Sequence, residues 1–179
     1  MTRRRHVLSA VVAVALAESI VGCTPQSTPS PAPRSSASTF SSDAEAFAAA
    51  EATYRAYVDA LNKVDLARTE TFNGVYDWLT GTALEQERTS LTDMHDKGWT
   101  VSGDSRVVFF EGRAVSPSLV TAVACLDVSN IRLDNADGVS QVQTSRPPAY
   151  ALQLSFTREE EAGRTQILEM TAVEEPRCS

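Results

Sequence analysis

Only two histidines and three cysteines occur among the 179 residues, and that scarcity removes most side-chain chemistry from consideration. His6 falls in a segment that reads as a removable leader, which leaves His95 alone in Asp93-Met94-His95-Asp96. A closed metal site needs about four ligands, and no second imidazole is at hand, so no metal is expected. At the end of a helical stretch, His95 suits the helix dipole instead. A Ser–His–Asp arrangement could draw only on His95, and no G-x-S-x-G elbow occurs. The eight glycines form no phosphate-cradling loop, and no cofactor is implied. Lysine is nearly absent, two against 14 arginines, and the formal net charge is −7. From Cys23 onward 13 Lys/Arg face 22 Asp/Glu, a net −9. That sign excludes nucleic acid as a partner, because such binding rests on cations displacing counterions, and it opposes adhesion to anionic lipid. No apolar run approaches the roughly 20 residues of a membrane-spanning helix. There is no internal repeat.

What is present starts with Arg3-Arg4-Arg5, followed by eleven apolar or small residues at 7–17 and then Glu18. A charged region before a short apolar one is the layout of a secretory signal. The Arg-Arg-His-Val-Leu stretch loosely resembles a twin-arginine signal, so the export route stays open. Ile20-Val21-Gly22-Cys23 resembles the lipobox of bacterial lipoproteins. The resemblance implies acylation of the Cys23 sulfur, cleavage before it, and a membrane contact through covalent lipid. Two acyl chains anchor stably where one holds marginally. A second cleavage reading exists, since Ala15-Leu16-Ala17 fits ordinary signal peptidase and would release a soluble chain.

Residues 24–41 shift to Ser, Thr and Pro, with Pro25, Pro29, Pro31 and Pro33 half of the chain's prolines. Such a stretch has little to bury and is expected to stay disordered. Extended at about 3.1 Å per residue it would reach about 56 Å. The expected organisation is a signal peptide at 1–22, a lipidated Cys and tether at 23–41, and one domain at 42–179.

Within that domain, residues 42–64 read as an amphipathic helix opened by a Ser42-x-x-Glu45 capping box. Phe47, Ala50, Tyr54, Tyr57, Val58 and Leu61 form its apolar face. A shorter helical stretch is expected over 66–79, broken near Asn73-Gly74. A third helix is expected from a Thr82-x-x-Glu85 box, through Leu84, Leu91 and Met94, to a stop at Gly98. The pattern then changes to period 2, at 99–101, 107–110 and 119–128, where Val120, Ala122, Ala124, Leu126 and Val128 share one face. Asp137-Gly138 marks a turn, and 139–145 reads as a polar edge strand before Pro147-Pro148. Tyr150, Leu152, Leu154 and Phe156 alternate cleanly. A loop with Glu159-Glu160-Glu161, closing at Gly163, leads to a last strand at 166–173. Three carboxylates there make a solvated tip rather than a calcium site. Helices first and hairpin-linked strands after predict an α+β domain, the helices packed on one face of an antiparallel sheet.

This order of elements, with Cys125-Leu126-Asp127-Val128-Ser129 in a middle strand and Cys178 near the end, resembles small lipoproteins of high-GC Gram-positive bacteria. Those pair a Ser/Pro tether with a nuclear-transport-factor-2-like (cystatin-like) cone. Where such proteins carry Gly-x-Trp entering the final strand, this chain has Gly163-Arg164-Thr165. The resemblance implies a curved, cone-like sheet. Some cones act as isomerases with an acid and a tyrosine inside. Tyr54, Tyr57, Trp78 and Asp127 are the residues here that could line such a cavity.

Setting Cys23 aside leaves Cys125 and Cys178, and outside the cytosol a lone pair is most simply a disulfide. A reactive Cys125 thiol beside Asp127 is the alternative, and it lacks an activating base or cation nearby. The leading expectation is a lipid-anchored extracytoplasmic accessory or interaction domain, without catalytic activity, that meets a cell-envelope protein. Behind it stands a small-molecule binder or carrier using the cone, and behind that an isomerase-like enzyme. The first predicts an exposed apolar patch; the second predicts a pocket of several hundred cubic ångströms with few polar anchors.

Overall fold

The computed structural model describes residues 42–159 and 164–178. The leader, Cys23, the tether and the tip of the acidic loop at 160–163 lie outside the described residues.

Helix α1, Asp43–Leu61, begins where the sequence places it: the Ser42 hydroxyl accepts from the Glu45 amide at 3.2 Å. Asp43 and Glu45 in its first turn complement the positive end of the dipole. Ala46, Ala50, Thr53, Tyr54, Tyr57 and Val58 are buried at helical spacing. A 3-10 turn at Thr69–Phe72 and the single-turn α2, Asn73–Tyr76, replace the expected second helix.

Helix α3 runs Gly81–Asp96 and starts two residues earlier than the expected cap. Thr80, not Thr82, is the N-cap, and it makes no side-chain cap. The Thr82 hydroxyl donates instead to the Leu168 carbonyl at 3.0 Å. The cause is the stretch before it. Thr80 donates to Ile167 O at 2.8 Å and Ile167 donates to Trp78 O at 2.9 Å, so the chain turns into helix as soon as it leaves that bridge. At the other end Gly98 adopts φ +65°, its amide donates to His95 O, and the Trp99 amide reaches Met94 O. This paired Schellman arrangement requires a left-handed residue, which glycine supplies without a Cβ penalty.

Six strands follow: β1 Thr100–Ser102, β2 Arg106–Val115, β3 Leu119–Asp127, β4 Arg132–Asp134, β5 Ala149–Glu159 and β6 Arg164–Ala172. Four form one antiparallel sheet in the order β2-β3-β5-β6, while β1 and β4 make a separate short ribbon. Register breaks in β2 at 107/109 and 112/114, and in β5–β6 at 155/156, mark bulges that bend the sheet around the helices. The sheet passes close to α1 at Gly112, where a Cβ would stand 2.2 Å from the Phe47 ring. The result is the curved α+β arrangement expected from the sequence.

Residues 139–145 are not a strand. Asn135 Oδ1 accepts from the Asp137 and Val139 amides, Gly138 has φ +77°, and one isolated bridge joins Asp134 to Ser140. The segment has almost nothing apolar to place on a pleated face. Arg146 then pins it, donating to Val128 O at 2.7 Å and to Ile131 O at 3.1 Å. The partner of β1 is instead the three-residue β4, with Val101 opposite Leu133.

The main core lies between helices and sheet, with Ala50, Tyr54, Val75, Leu79, Ala122, Ala124, Leu154, Phe156 and Ile167 at its centre. A second cluster, Leu66, Phe72 and Leu91, lies toward the β1–β4 ribbon, against Met94, Trp99, Val101 and Leu133.

On the opposite face of the sheet the chain end returns as a strap. The Val173 amide donates to Ala151 O at 3.0 Å, and Pro176–Cys178 forms a 3-10 turn. Cys125 and Cys178 stand with sulfurs 2.02 Å and Cα atoms 5.3 Å apart, at disulfide distance across 53 residues. The Arg177 guanidinium lies 4.4 Å from the Phe109 ring centroid. It also donates to both Glu111 carboxylate oxygens and to Glu175. Those bonds hold Glu175 down to about 2 and Glu111 below the usual carboxylate range.

Cys178→Ala should lower stability by about 2–5 kcal/mol, read by urea unfolding. Peptide mapping of the exported protein without reduction should recover Cys125 and Cys178 in one cross-linked species; two free thiols there would exclude the bond.

Candidate functional site

An apolar cavity of about 350 Å³ opens between the end of α1, the inner face of α3 and the β1–β2 corner. Its construction follows from helix periodicity. On α3, Leu84, Glu87, Leu91 and Met94 recur at i, i+3, i+7 and i+10, one stripe of the helix. Leu84 packs into the main core, while the other three line the cavity. Leu61 and Val64 close it from α1 and the turn after it, Leu126 and Val128 from the end of β3, and Val101 from β1.

Two polar features interrupt this surface. The Asn62 carboxamide bonds Ser105 three times: its Oδ1 accepts from the Ser105 amide and hydroxyl, each at 3.0 Å, and its Nδ2 donates to Ser105 O at 2.9 Å. This clamp fixes the corner at 102–105 against α1. Deeper in, the Tyr57 hydroxyl donates to Glu87 Oε2 at 3.0 Å. Tyr57 is 4 % exposed. Burial pushes its phenol well above the ordinary value, and the Glu87 charge and hydrogen bond add to the shift. Burial also raises the Glu87 carboxyl, while the Tyr57 hydrogen bond pulls it partway back.

The four residues singled out from sequence do not converge. Tyr54 is wholly buried, stacked between Tyr57 at 6.1 Å and Phe110 at 6.4 Å, and its hydroxyl has no hydrogen-bond partner among the described residues. Trp78 is half-buried, with the Arg164 guanidinium 5.7 Å from its ring. Asp127, at the far end of β3, accepts from the Ser129 amide at 2.9 Å and pairs with Arg106 at 3.0 Å. Those bonds, that from Ser129 first, hold its carboxyl below the usual range. Asp127 is thus committed to a surface loop, and the acid that meets a tyrosine is Glu87. The signal for Glu87 was available: it falls on the apolar stripe of α3, where a solvated carboxylate has no reason to be.

His95 takes no part in the cavity. Its Nδ1 lies 2.6 Å from Leu66 O, and its ring meets Phe72 edge-on at 6.3 Å. Among the described residues no three His, Cys, Asp or Glu side chains converge as a metal site. A second, more open groove of about 630 Å³ lies on the other side of Asn62 and is charged, with Arg55, Asp59, Lys63, Asp104 and Arg106 on its walls.

No protein-family model matches the chain, and no curated protein matches it. The fold is shared with solved structures. A proposed aromatic ring hydroxylase from Novosphingobium aromaticivorans superposes with a TM-score of 0.50 at 12% identity, over 74% of this chain and 96% of that one. At that identity the match shows the fold and no activity. An IcmL-like type IV secretion system protein from Legionella pneumophila gives a TM-score of 0.47 at 11% identity, over 75% and 96%. An uncharacterised protein with a cystatin-like fold from Caulobacter vibrioides gives 0.41 at 19% identity, over 73% and 90%. The described domain is an α+β fold, with helices packed on a curved antiparallel sheet.

Tyr57→Phe should cost about 1.5–3 kcal/mol at pH 7, because it strips a hydrogen bond from a charged acceptor. The sign of its pH dependence follows from the raised Glu87 carboxyl. As pH falls that group takes up its proton in the folded state first, the acceptor loses its charge, and the penalty of the mutation shrinks. Urea unfolding of both proteins at pH 7 and pH 5 measures the difference.

Proposed function

We propose that this chain is an extracytoplasmic, lipid-anchored cone domain that binds an apolar small molecule in the cavity between α1 and α3. The observation that carries the reading is the cavity: about 350 Å³, within the range of about 300–1,000 Å³ of small-molecule sites. It is walled by aliphatic side chains and has one part-buried polar pair as an anchor. The competing reading, an interaction module, calls for a contiguous exposed apolar patch. Among the described residues the exposed large apolar side chains are Val108, Val139 and Tyr150, on three different segments.

Binding rather than catalysis fits the lining. No histidine, cysteine or cation is part of it, and the half-buried Glu87 carboxylate is engaged by Tyr57. An oxidising compartment fits the disulfide-distance pair Cys125 and Cys178. The anchor rests on the Ile20-Val21-Gly22-Cys23 motif behind its apolar run, with 23–41 as the spacer between lipid and the domain at 42–179.

The neutral apolar dye N-phenyl-1-naphthylamine should bind the purified full chain saturably, with increased fluorescence. Val101→Trp, which fills the cavity from the exposed ribbon, should abolish that signal while leaving the unfolding midpoint nearly unchanged. Retained dye binding in Val101→Trp would remove the cavity as the site. Separately, Cys23→Ser should move the protein out of the membrane fraction or leave uncleaved precursor; unchanged retention of a processed chain would exclude the lipid anchor.

A further inference from the structure

The cavity's charge is one-sided. Its ionisable lining residues are Glu87 and Asp104, and no lysine, arginine or histidine lines it. Glu87 presents a carboxylate with about four lone-pair positions, of which the Tyr57 hydroxyl takes one. Even half-burying such a group without a cation carries a cost, and Tyr57 offsets only part of it. The other lining polar side chains apart from Asp104, those of Asn62, Ser102 and Ser105, bring no charge. Asn62 and Ser105 are joined to each other through three bonds of 2.9–3.0 Å. Inside the exposed rim an incoming molecule therefore finds one charged group, the Glu87 carboxylate, a hydrogen-bond acceptor set among aliphatic walls. At the rim the exposed Asp104 adds a second negative charge along the way in. The acidic chain as a whole raises the local concentration of cations.

We infer that the ligand is a small organic amine: one ammonium group held by Glu87, and a single ring or short alkyl body against Leu91, Met94, Val101 and Val128. This rests on the cavity reading above and adds the ligand's chemical class to it. The pairing is reciprocal. The ammonium supplies the counter-charge that the half-buried carboxylate lacks, and three N–H donors can share Glu87 Oε1 and the open positions of Oε2. An acid of the same shape would set a third carboxylate among two. An alcohol would fit, but brings no charge.

The test holds the apolar body constant and changes the head group. Phenethylamine, 2-phenylethanol and 3-phenylpropanoate are each titrated into the full chain by calorimetry and by displacement of N-phenyl-1-naphthylamine. The amine should bind about tenfold or more tighter than the alcohol, because its donor adds the opposite charge where the alcohol's hydroxyl adds none, and the acid should be weakest of the three. Glu87→Gln, whose carboxamide oxygen still accepts from Tyr57, should bring amine and alcohol within about threefold of each other. Asp104→Asn, an exposed change that leaves the cavity walls intact, should weaken the amine about twofold to threefold and leave the alcohol unchanged. If the three compounds bind alike in the wild-type chain, or Asp104→Asn and Glu87→Gln leave the amine preference intact, the amine assignment is wrong and the cavity reading survives. If neither the dye nor any of the three binds, the cavity reading itself falls and takes the assignment with it.

Discussion

A sheet has two faces, and among the described residues the long helices pack on only one of them. Everything else in the architecture answers that constraint. The helices cover the side bearing Ala122, Ala124, Leu154 and Phe156. On β3 the alternate residues Val123 and Cys125 point the other way, and yet they are buried, at 7 % and 0 % exposure. Against Cys125 lies the turn Pro176–Cys178, too short and too polar to dock through apolar area. The strap is held by bonds of other kinds: the sulfur pair, the stacking of Arg177 on Phe109, and the carboxylates of Glu111 and Glu175. Those ion pairs are exposed, so each is weak alone. Joined around one guanidinium beside a covalent link, they give the turn a single geometry.

The cavity is the corresponding incompleteness on the helical side. The long α1 and the curved sheet leave a wedge at one end, and α3 with the β1–β4 ribbon roofs it without filling it. A core of this size tends toward close packing, in which voids larger than a water are few. A space of about 350 Å³ beside Leu91 and Val128 forgoes dispersion contacts that larger side chains would supply. Placing Glu87 there costs more still. Two local sacrifices fall in one place, and the proposed binding function rests on that coincidence.

Much of the fold was legible in the residues, and for identifiable reasons. Helix α1 has five turns of pattern and a hydroxyl cap. Strands β3 and β5 alternate over most of their length, so their inner faces could be read directly. The period of a three-residue strand such as β4 cannot be read at all. The 139–145 segment alternates weakly and is held by Asn135 and Arg146, contacts that no periodicity encodes. The Thr82 box failed because a bridge to β6, more than 80 residues away, fixed the chain first. For the site, Tyr57 was found and its partner was not. Asp127 drew attention because it sits beside Cys125, whereas Glu87 was hidden in a run of polar residues, Glu85-Gln86-Glu87-Arg88, that reads as a solvated face. Only its phase relative to Leu84 and Leu91 separates it from its neighbours.

The bridge to β6 bears on how copies of this molecule meet. An open sheet ends in two strands whose outward amides and carbonyls invite a further strand. Here one such border is occupied from Thr165 to Leu168: Thr53 reaches the Thr165 carbonyl, the 78–80 segment engages Ile167, and Thr82 takes the Leu168 carbonyl. The opposite border is broken twice by bulges, carries Glu111 and Arg113, and has its Val107 carbonyl taken by Arg55 at 3.1 Å. Neither border offers a long flat row of unspent backbone groups. Crowded together in a plane, neighbours could touch through side chains without knitting into a continuous sheet.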